Sequence, residues 1–158
     1  MIVISDTGPL NYLALIGHLD ALPTLYKQVV VPPAVVSELS RHPSPDSIKN
    51  LFVSMPSWLR IGQVSLPDPD LSDLGDGEQQ AITLARSLRA DLLLCDDKDA
   101  REVAQRSALR VIGTLGVLKE AAHRGLLNFS EALEKLQATN FRISRALINR
   151  ISQEDAQS

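Results

Sequence analysis

The chain has 158 residues, 44% of them hydrophobic and 22% charged, the proportions of one globular domain with a real core, and this excludes disordered and fibrous classes. Aromatic residues are only 4%, so the core has to come from Leu, Ile, Val and Ala, and recognition of bases on an aromatic platform is disfavoured. Sixteen Lys and Arg against nineteen Asp and Glu leave a net charge of -3, which counts against a general nucleic-acid binder but does not exclude a local one, since carboxylates that hold cations swell the acidic count.

Ile2-Val-Ile-Ser5 is a short β-branched run that predicts a buried strand. Asp6-Thr-Gly-Pro9 breaks it. Pro9 suits the first turn of a helix in which Leu10, Leu13, Ala14 and Leu15, with Leu19, keep roughly helical spacing. Val29-Val-Val31 predicts a second strand, and Pro32-Pro33 ends it and starts a helix carrying Val35, Val36 and Leu39. Ser44-Pro-Asp46 opens a helical segment with Ile48, Leu51 and Phe52, and residues 59–64 are a strand or an extended connection. Pro67 to Asp76 is a polar, Pro- and Gly-rich loop within the domain.

Glu78 to Leu88 carries Ala81, Ile82, Ala85 and Leu88 on one helical stripe. Leu92 to Cys95 predicts a buried strand ending in Asp96-Asp97, followed by a helix through Ala100, Val103 and Ala104 and a strand from Leu109 to Ile112. Gly113-Thr-Leu-Gly116 opens the next helix. The tail holds two more helical segments, around Ser130 to Ala138 and Ser144 to Ile151, the second with an apolar face of Phe141, Ile143, Leu147, Ile148 and Ile151 that should dock on the domain or on a second copy. The expectation is one domain over 1–158, with its motifs in about 1–125 and a helical tail after that.

Strands alternating with helices imply an α/β fold whose parallel sheet is covered on both faces. In such a sheet the chemistry collects at the carboxyl ends of the strands. Asp6 directly follows the first strand there, and Asp96-Asp97 follow the Leu92 to Cys95 strand. Glu38 lies about a turn and a half into its helix, and Glu78 lies in the first turn of its own. Gathered carboxylates repel one another unless a cation joins them. Hard oxygen donors without His or Cys select Mg²⁺ or Mn²⁺, ions that can ionise a water and neutralise a phosphate. Taken singly, each acid has a plainer explanation: Asp6, Asp97 and Asp99 as helix caps, Glu78 as a partner of its helix dipole, Glu38 as solvated surface. The argument rests on their agreement in position.

Other patterns do not hold. Asp68 to Gln79 has Asp73 where a calcium loop needs Gly and Gln79 where it needs Glu. Gly113-Thr-Leu-Gly116 is neither a dinucleotide fingerprint nor a P-loop, and reads as a tight strand-to-helix turn. His18, His42 and His123 lack ligand spacing, and Ser5 and Ser37 lack the context of a nucleophile. The single cysteine, Cys95, allows no intramolecular disulfide and reads as a buried structural thiol. With no leader pattern and no run of membrane-spanning length, the chain is expected to be soluble and cytoplasmic.

Val3-Ile-Ser-Asp6-Thr-Gly, Pro33-Ala-Val-Val-Ser-Glu38-Leu, Gly77-Glu78-Gln-Gln-Ala-Ile, Leu93-Leu-Cys-Asp96-Asp97 and Gly113-Thr-Leu-Gly-Val-Leu118 occur in that order. As an ordered set they resemble a PIN-domain protein, and the Gly113 segment is similar to its VapC-like branch. The resemblance implies a three-layer α/β/α sandwich with a central, mostly parallel sheet. It also implies an acidic quartet that binds Mg²⁺ or Mn²⁺ and cleaves RNA. Asp6, Glu38 and Glu78 match the first three acids, Glu78 standing where many members have the shorter Asp. The fourth falls on Asp96 or Asp97. Spacing from Glu78 favours Asp96, with Asp97 in reserve. Thr7 matches a hydroxyl beside the first acid, and Asp99 and Thr114 are further candidates for contacting the acids or the substrate. Lys98, Arg101, Lys119 and Arg124 are candidates for a basic rim that binds nucleic acid. VapC-like proteins are usually homodimers held by a cognate antitoxin, which makes those the expected partners.

Two other classes gather acids on a parallel sheet. A signalling receiver domain needs paired acids after the first strand and a lysine after the last, where this chain has Asp6-Thr7 and Gly113-Thr114. A haloacid-dehalogenase-like phosphatase needs a second Asp two residues after the first, and Gly8 stands there. A PIN fold used only for binding is the third alternative, against which the intact acids argue.

Overall fold

Five short strands, β1 (Val3–Ser5), β2 (Val29–Val31), β3 (Leu59–Ile61), β4 (Leu92–Leu94) and β5 (Val111–Ile112), pair side by side in the order β3-β2-β1-β4-β5. Every pairing is parallel, with Val3 opposite both Val29 and Leu92. The computed structural model describes residues 1–41, 43–143, 147 and 150. His42, Ile148 and Ile151, each singled out in the sequence, lie outside the described residues. Among the described residues no helix is long and apolar enough to cross a membrane.

The helices are α1 (Thr7–Leu15), α2 (Ala21–Tyr26), α3 (Pro33–Leu39), α4 (Asp46–Val53), α5 (Asp76–Leu88), α6 (Lys98–Arg106), α7 (Thr114–His123) and α8 (Phe129–Gln137). Strand residues alternate between two buried layers, because successive side chains of a strand point to opposite faces. Val3, Val29, Val31, Leu92 and Leu94 join Leu10, Leu22, Leu39, Ile48, Leu118 and Phe129 on the face covered by α1–α4, α7 and α8. Ile4, Val30, Leu93 and Cys95 join Ala81, Ile82, Ala85, Ala100 and Ala104 on the face covered by α5 and α6. The architecture is therefore helix, sheet, helix. Strands buried on both sides explain the unbroken Val, Ile and Leu runs.

Two elements differ from the periodicity. Leu19 does not extend the first helix. The amides of Gly17 and His18 bond back to the carbonyls of Ala14 and Leu13, and Gly17 takes a left-handed φ of 79°, so α1 closes in a Schellman turn. The chain then restarts as α2, whose six residues hold Pro23 and are too few for a periodic signal. The loop before α5 is less free than its composition suggests. Leu71 is fully buried, and Arg86 of α5 straps Asp68 and Asp70 while its other donors reach Ser107. The strap matters for the site because this loop delivers the first turn of α5.

The tail shares the main core. Phe129, Ala132, Leu133 and Leu136 of α8 are buried with Val117 and Leu118 of α7. Phe141, Ile143 and Leu147 pack against the same cluster, so this part of the apolar face docks within the molecule.

Candidate acidic site at the carboxyl edge

In the order β3-β2-β1-β4-β5 the direction of winding reverses between β1 and β4, and an open parallel sheet forms its ligand crevice at such a switch point. The residues that leave these two strands are Asp6 and the Asp96-Asp97 pair.

Asp6 is 6% exposed. It occupies the N-cap position of α1, yet its side chain makes no capping bond. Oδ2 accepts a 3.5 Å hydrogen bond from the Cys95 thiol, and Oδ1 is buried with no partner. A buried carboxylate oxygen left unpaired is costly. The cost appears in its titration: burial, with the nearby charges of Glu78 and Glu38, pushes the Asp6 carboxyl up to about 7, although the Thr7 amide pulls the other way.

Glu38 sits on α3 and accepts a hydrogen bond from the Thr7 hydroxyl. The first turn of α5 comes up against it closely: a Cβ on Gly77 would lie 2.8 Å from Glu38 Oε1. The amide of Ala34 bonds to Gln80 at 2.8 Å and locks the two helices in that relation. Glu78, next along α5, is half-buried, and its carboxyl is raised by burial and by the charges of Asp97 and Glu38. Asp6, Glu38 and Glu78 thus form one electrostatically coupled set.

The two adjacent aspartates part company. Leu93 and Cys95 belong to the face covered by α5 and α6, and Asp97, next in that alternation, acts on Glu78 of α5. One oxygen of Asp97, Oδ2, accepts the Ala100 amide at 2.9 Å and caps α6. Asp96 follows Leu94 onto the opposite face. Its Oδ1 and Oδ2 accept the Thr114 amide at 2.7 Å and the Thr114 hydroxyl at 2.6 Å. Burial raises the Asp96 carboxyl, against those bonds and the Arg101 charge. Sequence spacing favours Asp96 as the fourth acid; the structure sets Asp97 toward Glu78 and Asp96 against Thr114 and the first turn of α1, where a Cβ on Gly8 would lie 3.1 Å from Asp96 Oδ2.

The remaining residues divide in the same way. Thr7 and Thr114 each hold one carboxylate. Asp99 and Lys98 are exposed in the first turn of α6, where the helix dipole favours Asp99. The Arg101 guanidinium approaches Gly113 and Asp96, and Lys119 is half-buried a turn and a half along α7. Arg124 is not part of this edge. It follows the last residue of the 10-residue α7, ~15 Å along the axis from Thr114, and its charge acts on Tyr26. The helix runs away from the edge, so proximity along the chain did not mean proximity to the acids. Sequence reasoning gave Tyr12 and Arg142 no role and Phe141 only a place on the apolar face of the tail, yet all three lie beside Asp96. Nothing in a lone half-buried aromatic or a distant arginine signals such a place.

Hard oxygen donors and the unpaired Asp6 Oδ1 suit a divalent cation, which would relieve both the repulsion and the orphaned oxygen. Among the described residues no group of three His, Cys, Asp or Glu side chains is already arranged around one ion position. Mg²⁺ usually takes one or two protein carboxylates and keeps several waters, so the arrangement fits that mode rather than a closed cage.

Without metal, Asp6 should make stability fall with pH. Its folded-state carboxyl is held near 7, against an unfolded value of 3.8, so the cost is absent below about pH 4 and complete above about pH 7, where it is on the order of 4 kcal/mol. Denaturant midpoints of the metal-free protein should therefore drop between those limits, and Asp6→Asn should flatten the drop. A parent protein that grows steadily more stable from pH 4 to 7, with Asp6→Asn behaving alike, would show that Asp6 is not buried as described.

A family model described as a PIN domain matches residues 2–157. The fold is similar to that of a PilT N-terminus domain protein from the hyperthermophilic archaeon Sulfolobus solfataricus P2, with 21% identity and a TM-score of 0.57, over 77% of this chain and 93% of that one. At this identity the likeness is one of fold. No curated protein matches.

Proposed function

The chain belongs to the PIN-domain family, and from that premise we propose that it is an endoribonuclease dependent on Mg²⁺ or Mn²⁺. The observation that carries the reading is the buried Asp6, with one oxygen unpartnered and the charges of Glu38 and Glu78 acting on it. In this reading Asp6, Glu38, Glu78 and the uncapped oxygen of Asp97 together hold the hydrated ion, one or two of them directly and the rest through its waters. A bound ion supplies an ionised water at neutral pH and offsets charge on the phosphate. The protein's own part is to hold the acids in place. Thr7 fixes Glu38, the Gln80 bond to Ala34 fixes α3 against α5, and the α6 cap orients Asp97. Lys98 and Arg101 stand where the phosphates of a single-stranded RNA would pass. They supply the local positive charge that the net charge of -3 lacks.

The ordered motifs, Gly113-Thr-Leu-Gly-Val-Leu118 among them, support the VapC-like branch within this reading. The protein then acts as the toxin of a toxin–antitoxin pair, as a homodimer held by its antitoxin.

Millimolar Mn²⁺ or Mg²⁺ should raise the melting temperature at pH 7.5 by several degrees through mass action. The rise should shrink toward pH 5, where Asp6 binds a proton instead. Thermal melts with Mn²⁺, Mg²⁺ and chelator measure it. An identical melting temperature in all three, together with no metal density near Asp6 in a soaked crystal, would remove the metal from the proposal.

A further inference from the structure

Two hollows open beside the acids, and Asp96, Phe141 and Arg142 line both. One, of about 450 Å³, also reaches Tyr12 and Asp97; the other, of about 350 Å³, lies over the first turn of α7. The floor of the second is the Gly113-Thr-Leu-Gly116 turn. A Cβ on Gly113 would lie 2.5 Å from Asp96 Oδ1 and 3.0 Å from Arg101 Nη1. Only glycine lets the carboxylate and the guanidinium close so tightly on this backbone. The walls combine apolar Ile112, Leu115 and Phe141 with two cations, Arg101 and Arg142. The segment bearing Arg142 is anchored to α1. Phe141 packs edge-on to Tyr12 with centroids 4.8 Å apart, and the Tyr12 hydroxyl donates to Asn140 Oδ1 at 2.8 Å.

An apolar slot with guanidinium groups in its walls matches the two halves of a nucleotide. Planar guanidinium forks suit phosphate oxygens, and flat apolar walls suit a base. A wholly apolar ligand would desolvate both arginines without return. Asp96 joins the slot to Asp97, its chain neighbour in the acidic set. We propose that the 350 Å³ cavity is a nucleotide subsite, taking the base and phosphate of the RNA nucleotide next to the cleaved bond, with Arg142 on that phosphate. The assignment rests on the ribonuclease reading for its substrate, and it gives the Gly113 turn a role beyond tight packing.

The test begins with nucleoside 5′-monophosphates, titrated in chelator into the whole chain and followed by amide NMR shifts. Gly113, Leu115 and Gly116 should move, and inorganic phosphate should bind at least about tenfold more weakly, since it fills only half the slot. Arg142 is exposed, so Arg142→Ala should fold normally. It should lose about tenfold in monophosphate affinity and flatten the salt dependence of single-stranded RNA binding by about 0.7 in log–log slope. Leu115→Trp, which fills the slot, should abolish the shifts. Phosphate binding as tightly as the monophosphates, shifts mapping elsewhere, or both variants matching the parent would overturn the subsite. Cleavage by Arg142→Ala with an unchanged KM would remove the subsite and leave the nuclease standing. Monophosphate binding in a protein that cleaves no RNA would do the reverse.

Discussion

Asp6→Asn is expected to lower metal-dependent RNA cleavage by roughly 10³-fold or more, and at the same time to make the metal-free protein more stable at pH 8. The two effects have one cause. Asp6 is 6% exposed with Oδ1 unpartnered, so its charge is a burden until a cation shares it, and a neutral amide of the same shape removes both burden and binding. The gain should be roughly 1–3 kcal/mol, less than the whole desolvation cost, because an amide buried there also lacks partners. A stabilising substitution that abolishes activity is the expected trade-off at a strained functional site. Urea melts and single-turnover cleavage of one confirmed RNA target measure the two. Full cleavage by Asp6→Asn would remove Asp6 and the ion it holds from the chemistry. No cleavage by the parent either would leave a PIN fold used only for binding as the better reading. Lost cleavage with lost stability would trace the defect to folding.

Asp97→Asn should reduce cleavage by roughly 10²-fold or more while changing stability by about 0.5 kcal/mol or less, since Asn caps a helix as well as Asp does and can keep the bond to the Ala100 amide. Asp96→Asn should keep most of kcat. Its carboxylate faces Thr114 and Arg101 rather than Glu78, so its effect should fall on KM, by roughly tenfold. If the two variants exchange behaviours, Asp96 is the fourth acid and the alternation of faces past β4 does not decide the matter. Both variants need the same cleaved target as the parent.

Much of this site is legible in the sequence. Each strand is a short Val, Ile or Leu run stopped by Pro, Gly or Asp, and those local signals located β1, β2 and β4 to within a residue or two. A parallel sheet then requires Asp6 and Asp96-Asp97 to leave on the same edge. Pro33 places Glu38 about a turn and a half into α3, and the helical stripe behind Glu78 places that residue in the first turn of α5. These are properties of segments a few residues long, which is why they survive without knowledge of the fold. Arg124 differs for the complementary reason: eight residues past Gly116, just after the end of α7, is near in sequence and a helix length away in space.

The sequence by itself determined the class of fold, the strands β1, β2 and β4, the edge they give the acids and the donor chemistry those acids offer, because each follows from local pattern or from the parallel connection rule. Tertiary structure alone decided the rest. Pairing β1 with β4 put Cys95 against Asp6, and the approach of α5 to α3 brought Glu78 to Glu38. Covering one face with α5 and α6 and the other with α1 and α7 sent Asp97 and Asp96 to different neighbours, although they are adjacent in the chain. The return of Phe141 to Tyr12, 129 positions apart, set Arg142 beside the acids. Such contacts come from long-range packing of buried faces, and the free energy that selects them belongs to the folded whole, not to any segment.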